Sequence, residues 1–424
     1  MVKSRLTSLS AGMWGLAIVW MAAPYAVRAQ DAAPPAAPAP PVPAAGSVQY
    51  LPLDAPAGMS QAVIVENKAL VHTRQLFPVD QAGNLVGGDS LEKQIEQVLT
   101  NLDTVLQAAG SGLNQLVRVH VYAIEPATVD QVRDQLSKRL DPAVRPAITS
   151  VLTPIPNREA RVAIDAIAVA NDAAPAVVLQ RCEAVHGDAD CADTAVLPAG
   201  GVAYLSGVPA EGGLTTSAID KSMVTLGRTL EQLHLTSAHI IQLKVFLKPA
   251  TSAEETLQVL KKYFPGQLTP PVVFVEWIAQ APVEIELVAQ LPPQADAAAE
   301  SVRYYNPPEF RPLPTFSRVA LAQGTRSIYT SSLFSREAGR GEEQASDVFA
   351  QLQSILEQAG GDMQHLAKAT YYVSDDDAGR GFDRVRLRYF DPQRPPAASK
   401  VMVYGMGKAG RSLTMDMIAV GVGK

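Results

Sequence analysis

A chain of 424 residues exceeds one ordinary domain, at roughly 150 residues each, and its 47% hydrophobic content can fill several cores. The formal charge of −6, with no basic block, gives no electrostatic drive toward nucleic acid or an anionic membrane, so neither is expected as a partner.

In chain order, Lys3 and Arg5 precede the apolar stretch "GMWGLAIVWMAA", which "AVRA" closes at Ala29. This pattern predicts a cleaved secretory signal over residues 1–29, hence a periplasmic or secreted protein with no membrane span after cleavage. Residues 30–47 are rich in Ala and Pro, cannot pack a core and are expected to form a disordered tether.

From Asp89, "DSLEKQIEQVLTNLDTVLQAAG" puts Ile95, Val98, Leu99, Leu102, Val105 and Leu106 on one helical stripe. Asp89 and Glu92 are spaced as a capping box, and Gly110 marks the stop. "LVRVHVY" (116–122) is apolar and β-branched, as a strand requires. A second helix is predicted over 127–140, and "ITSVLTPI" and "EARVAIDAIAVA" follow as a strand pair.

The same order returns twice. Helices at 218–233 and 252–264 flank the strand "IQLKVFLK", and "PPVVFVEWIA" and "APVEIELVAQL" follow. Helices at 345–361 and 381–390 flank "LAKATYYV", and "PPAASKVMVYG" and "SLTMDMIAVGV" follow. Before each first helix lies another extended segment, at 69–77, 201–209 and 327–334. The expected fold is therefore α/β, of the α+β kind, as three tandem β-β-α-β-α-β-β units with boundaries 48–173, 174–293 and 301–424 and a linker at 294–300. Both helices of a unit cover one sheet face, and three bare faces can bury one another around a pseudo-threefold axis, giving a closed monomer. Arg118, Lys244 and Lys368, spaced 126 and 124 residues apart, are taken as equivalent, as are Asp165, Glu286 and Asp416. Cys182 and Cys191 bracket a polar, turn-rich loop, and in an exported protein they are expected to close it as a disulfide.

"RYYNPPEFRPLPTFSRVALAQGTRSIYTSSLF", "LEQAGGDMQHLAKATYYVSD", "PPAASKV" and "MDMIAV" resemble the RidA (YjgF/YER057c/UK114) family, as do "AYLSGVP" and "LQAAGSGLNQLVRVHVYAIEPATVDQVRDQL". The resemblance spans residues 48–424 in three copies. It implies a chorismate-mutase-like unit, a trimer here made covalent, small-molecule ligands at the three interfaces, and imine or enamine deamination as the family activity. It also implies a carboxylate-binding Arg two residues after the proline that opens the fifth element. From Pro146, Pro270 and Pro396 that place holds Ile148, Val272 and Ala398. A two-point charged contact contributes roughly 2–4 kcal/mol, so its loss three times over argues against the family's usual substrates. The family's Ser-Gly step is taken as Thr73-Arg74, Ser206-Gly207 and Ser331-Ser332, and its water-positioning acid as Asp165, Glu286 and Asp416. An expected aromatic hydroxyl is lost at Met59 and Phe316, with no assignable counterpart in the second unit.

Two cations can replace the clamp, Lys400 on the face of Ala398 and Arg74 at the Ser-Gly step, although a structural or solvated role is the commoner one for long basic side chains at an interface. Arg118, Lys244 and Lys368 are expected to pair with the three acids rather than to form a catalytic ring. His72, His120, His186, His234, His239 and His365 show no ligand spacing, and no cofactor or metal is expected; "AGRG" at 338–341 and 378–381 is loop. The functional expectation is small-metabolite binding or a scaffold role. The alternative is a divergent deaminase hydrolysing 2-imino acids with release of ammonia. More remote is a cyclic amide hydrolase, for which Ser206 with Lys244 and Ser331 with Lys368 are the Ser-Lys pairs, against Thr73 and Arg118 in the first unit.

Overall fold

The computed structural model describes residues 46–172, 174–210, 215–292 and 301–422. The signal expected at 1–29, nearly all of the tether and the linker at 294–300 lie outside them, and Ser47 already opens the first strand. Among the described residues no helix is long and apolar enough to cross a membrane.

The first repeat runs β1 (Ser47–Leu51), β2 (Ala62–Glu66), β3 (Leu70–Thr73), α1 (Leu91–Ala108), β4 (Leu116–Ala123), α2 (Pro126–Ser137), β5 (Ala147–Leu152) and β6 (Val162–Val169). The second runs β7 (Val178–Gln180), β8 (Thr194–Leu197), β9 (Gly201–Ala210), α3 (Thr215–Gln232), β10 (Ile240–Leu247), α4 (Ala253–Leu260), β11 (Val272–Glu276) and β12 (Val283–Leu291). The third runs β13 (Val302–Tyr305), β14 (Val319–Ala322), β15 (Arg326–Thr330), α5 (Gly341–Gln358), β16 (Leu366–Val373), α6 (Asp376–Tyr389), β17 (Ala397–Met402), β18 (Gly405–Met406) and β19 (Leu413–Val420). Each repeat thus places three strands before its first helix.

Local chemistry explains these elements. Helix α1 is capped by Ser90, whose hydroxyl accepts the Lys93 N–H at 3.5 Å, in place of the Asp89–Glu92 box. Gly110 follows it at a φ of +68°, a left-handed geometry that costs glycine little. The α1 stripe is fully buried against Val119 and Val121 of β4 and Ile164 of β6. Each such side chain contributes ~1.5–3 kcal/mol by leaving water.

Each repeat contributes four strands to one sheet, in the orders β3-β6-β4-β5, β9-β12-β10-β11 and β15-β19-β16-β17. The hairpin that completes each sheet belongs to another repeat. β8 pairs with β3 through Leu70↔Leu197, β14 with β9 through Val319↔Leu205, and β2 with β15 through Ile64↔Ile328. The last pairing joins the first repeat to the third and closes the ring. Just before its second strand, each hairpin segment also touches the fifth element of its own repeat: Ser60 N–H donates to Pro146 O, Ala192 N–H to Thr269 O, and Ser317 N–H to Pro396 O.

The faces opposite the helices meet around the pseudo-threefold axis in layers. One apolar layer holds Val117, Ile241 and Ala367, another holds Tyr122, Phe246 and Tyr372. Between them β4, β10 and β16 present Arg118 and His120, Gln242 and Lys244, and Lys368 and Thr370, all buried.

Candidate functional sites at the repeat interfaces

Strand register fixes which residues are equivalent. A bulge between Leu116 and Arg118 recurs between Ile240 and Gln242 and between Leu366 and Lys368. His120 then faces Asp165, Lys244 faces Glu286, and Thr370 faces Asp416. The counterpart of Arg118 and Lys368 is therefore Gln242, and Lys244 matches His120 and Thr370, which corrects the equivalence drawn from charge alone. A second correction concerns the first unit. Thr73 Oγ1 accepts the Ala166 N–H as Thr330 Oγ1 accepts that of Met417, so Arg74-Gln75, rather than Thr73-Arg74, matches Ser331-Ser332 and Ser206-Gly207.

Ile148, Val272 and Ala398 occupy equivalent places, one at each interface. Between the first and third repeats, Ser331 Oγ donates to Ser60 O at 2.5 Å and accepts the Ile148 N–H at 2.8 Å. Between the second and third, Ser206 Oγ donates to Ser317 O at 2.6 Å and accepts the Ala398 N–H at 2.7 Å. At both interfaces this hydroxyl spends its proton and one lone pair in sewing two repeats together.

Arg74 takes that position between the first and second repeats. Its Nε donates to Asp193 Oδ1 at 2.6 Å, and its guanidinium also holds Gln75 O and His186 O. Asp193 is shared with Arg181 at 2.5 Å. Arg74 is thus a structural staple bordering a cavity of about 350 Å³ lined by Phe77, Val79, Val272 and Phe274. Cys191 lies here too. Backbone pairing matches Asp193 with Gln61 and Arg318, so Cys191, two residues earlier, is the counterpart of Met59 and Phe316, and no aromatic hydroxyl occupies that place in any repeat. The disulfide expected between Cys182 and Cys191 is not formed, and both thiols are free. The loop is held instead by the ion pairs of Asp193, which also accepts the Cys182 N–H at 2.7 Å. Burial, helped by the Asp188 charge, pushes the Cys191 thiol up to about 11.

The interface of the first and third repeats opens into the largest of these spaces, about 830 Å³. Met59, Ile148, Leu333 and Phe334 line it, with Ser150, Ser332 and Gln61, and Arg133, Arg336 and Lys408 also border it. Arg133 is paired with Asp130 at 2.7 Å and Arg336 with Asp347 at 2.7 Å.

The third interface is tighter. A Cβ at Gly207 would fall 1.8 Å from Glu284 Oε1, so glycine is what admits this carboxylate. Burial pushes the Glu284 carboxyl up to about 7, with Ser399 and Arg318 opposing the rise and Glu286 adding to it. Arg318 stacks on Phe310 at 4.3 Å and Phe316 at 5.1 Å. Lys400 does not face this group: its ammonium donates to Asp383 on α6 at 2.6 Å, on the exposed side of the sheet.

Asp165, Glu286 and Asp416 lie on the axis, away from the two larger cavities. Lys368 Nζ donates to Glu286 Oε2 at 2.6 Å, and Ser399 Oγ donates to the same oxygen at 2.5 Å. His120 reaches Asp165 through Nδ1 at 2.9 Å and Asp416 through Nε2 at 3.1 Å, and Tyr122 donates to Asp165 at 2.6 Å. Burial pushes Asp416 up, yet Arg118 and His120 outweigh it and hold the carboxyl well below its usual range. Each of the three acids thus has buried side-chain partners from the axis. Glu284 was not among the residues expected at a site, and the alternation Glu284-Ile285-Glu286 was the available signal, because it puts both carboxylates on one strand face.

Repeated α+β units closed into a pseudo-trimer, with ligand-sized spaces at the interfaces, define a class of interface-site proteins. The endoribonuclease L-PSP family model matches residues 52–170 and 316–420, and the chain belongs to this family, the RidA (YjgF/UK114) family. A RutC family protein of Synechocystis sp., slr0709, is 30% identical over 122 residues, covering 29% of this chain and 94% of its own. The solved structure of YyfB, a Rid-family protein of Yersinia pestis, is 28% identical and covers 29% of this chain and 98% of its own, with a TM-score of 0.25. NMB1025 of Neisseria meningitidis, a YjgF-family protein, is 22% identical over 29% of this chain and 97% of its own, with a TM-score of 0.23.

Proposed function

We propose that the protein binds a small, largely apolar metabolite between its first and third repeats and does not run the family's imine hydrolysis there. The supporting observation is the space of about 830 Å³, which has Ile148 where a carboxylate-binding Arg belongs. An apolar lining with a few hydrogen-bonding groups suits a compact ligand carrying one or two polar atoms. Ligand-observed NMR with a fragment library tests this, with Ile148→Trp as the blocked control. Hits that disappear in the variant support the site, and hits that persist unchanged contradict it. Export through residues 1–29 and a monomeric state belong to the same proposal, tested by sequencing the mature N-terminus and by light scattering.

A second reading rests on Glu284. A buried carboxyl near 7 can carry a proton both ways at neutral pH, and Arg318 beside it offers a cation to a substrate carboxylate. This is imine hydrolysis confined to the interface of the second and third repeats. Ammonia release that Glu284→Gln abolishes would favour it.

A further inference from the structure

The cavity between the first and third repeats holds a hydroxyl without a partner. Ser150 lines it two residues beyond Ile148 on β5, hence on the same strand face, and is 3% exposed. Its N–H donates to Ser332 Oγ at 2.8 Å, but its own Oγ has no hydrogen-bond partner among the described residues. A Cβ at Gly407, on the same wall, would fall 2.1 Å from that oxygen, so glycine keeps the hydroxyl bare. Ser332 Oγ, used as an acceptor, still has its proton to donate. The arrangement does not recur. Strand register puts Phe274 and Lys400 at the place of Ser150, where the ring lines the smaller cavity and the ammonium turns to Asp383.

The charged groups around this cavity are engaged or solvated. Asp130 and Asp347 hold Arg133 and Arg336, while Lys408 and Asp54, of opposite charge, are exposed. The polar side chains beside Ile148 and Leu333 are Ser150, Ser332 and Gln61, all neutral. A carboxylate drawn out of water here would find Ile148 in place of a fixed cation, whereas a carbonyl oxygen can accept from both hydroxyls.

On the reading that this interface binds a metabolite, we propose that the ligand is an uncharged carbonyl compound, a ketone, ester, lactone or amide, whose oxygen accepts from Ser150 and Ser332. Its apolar body lies against Met59, Leu333 and Phe334.

Ligand-observed NMR titrations of the full chain with acetophenone, benzoate, benzylammonium and ethylbenzene test this. Acetophenone should bind about tenfold more tightly than benzoate and lose about tenfold in Ser150→Ala, with ethylbenzene indifferent to that substitution. Gly407→Ala, which crowds the hydroxyl without removing it, should weaken acetophenone likewise, and melting curves show that both variants are folded. Tighter binding of benzoate or benzylammonium overturns this inference, as does acetophenone binding unchanged in Ser150→Ala yet lost in Ile148→Trp; either result leaves the interface site standing. Binding of no probe, or binding that Ile148→Trp leaves intact, removes the site itself and the inference with it.

Discussion

Glu284→Gln converts the protonated form of a buried acid into its neutral isostere, and the structure sets the size of the effect. The folded carboxyl titrates at about 7, against the ordinary value of 4.5. Because the folded value is the higher, the folded state binds the proton more tightly. The stability that this one group contributes is then fully present below pH 4.5 and is lost as pH rises through 7. At 1.36 kcal/mol per unit, the Glu284 contribution falls by about 3 kcal/mol across that window, and the glutamine variant lacks this term. Urea unfolding of both proteins at a series of pH values isolates the difference, since all other groups titrate in common. The stability gap should shift in favour of the variant by about 3 kcal/mol between pH 4.5 and 7.5. A gap that stays constant with pH would refute the burial of Glu284 against Gly207.

Arg74→Ala leaves the buried Asp193 with Arg181 as its remaining ion-pair partner, and a loss of about 1–3 kcal/mol is expected in the same unfolding assay. Lys400→Ala removes an exposed pair with Asp383 and should cost less than about 1 kcal/mol. Deleting all residues before Asn67 bares the edge of β15, so light scattering should show self-association, whereas the full chain should have the mass of one copy. Thiol titration of unreduced, denatured protein should count two free cysteines, and a count of zero would restore the disulfide.

The repeated order of helices and strands was legible because apolar periodicity survives divergence: the α1 stripe and the alternation of β12 need no partner to be read. The equivalence of Lys244 with Arg118 was misread because the bulge after Leu116 shifts which residues face the axis, and matching charges concealed the shift. The one-residue slip at Thr73 had a similar cause, a hydroxyl in the wrong place imitating the Ser of the other units. Exchange of hairpins between repeats leaves no local trace, since the same residues at 67–69 can close a hairpin or cross to another sheet. Cys182 and Cys191 sit at disulfide spacing, but the ion pairs of Asp193 were invisible without knowing that Arg74 and Arg181 converge on it.

The most direct test of the account is ammonia release from a 2-imino acid generated in situ by an amino acid oxidase. With Ile148, Val272 and Ala398 at the clamp positions, the protein should give no rate above buffer. A rate well above buffer that Glu284→Gln removes would contradict it and establish the protein as a deaminase.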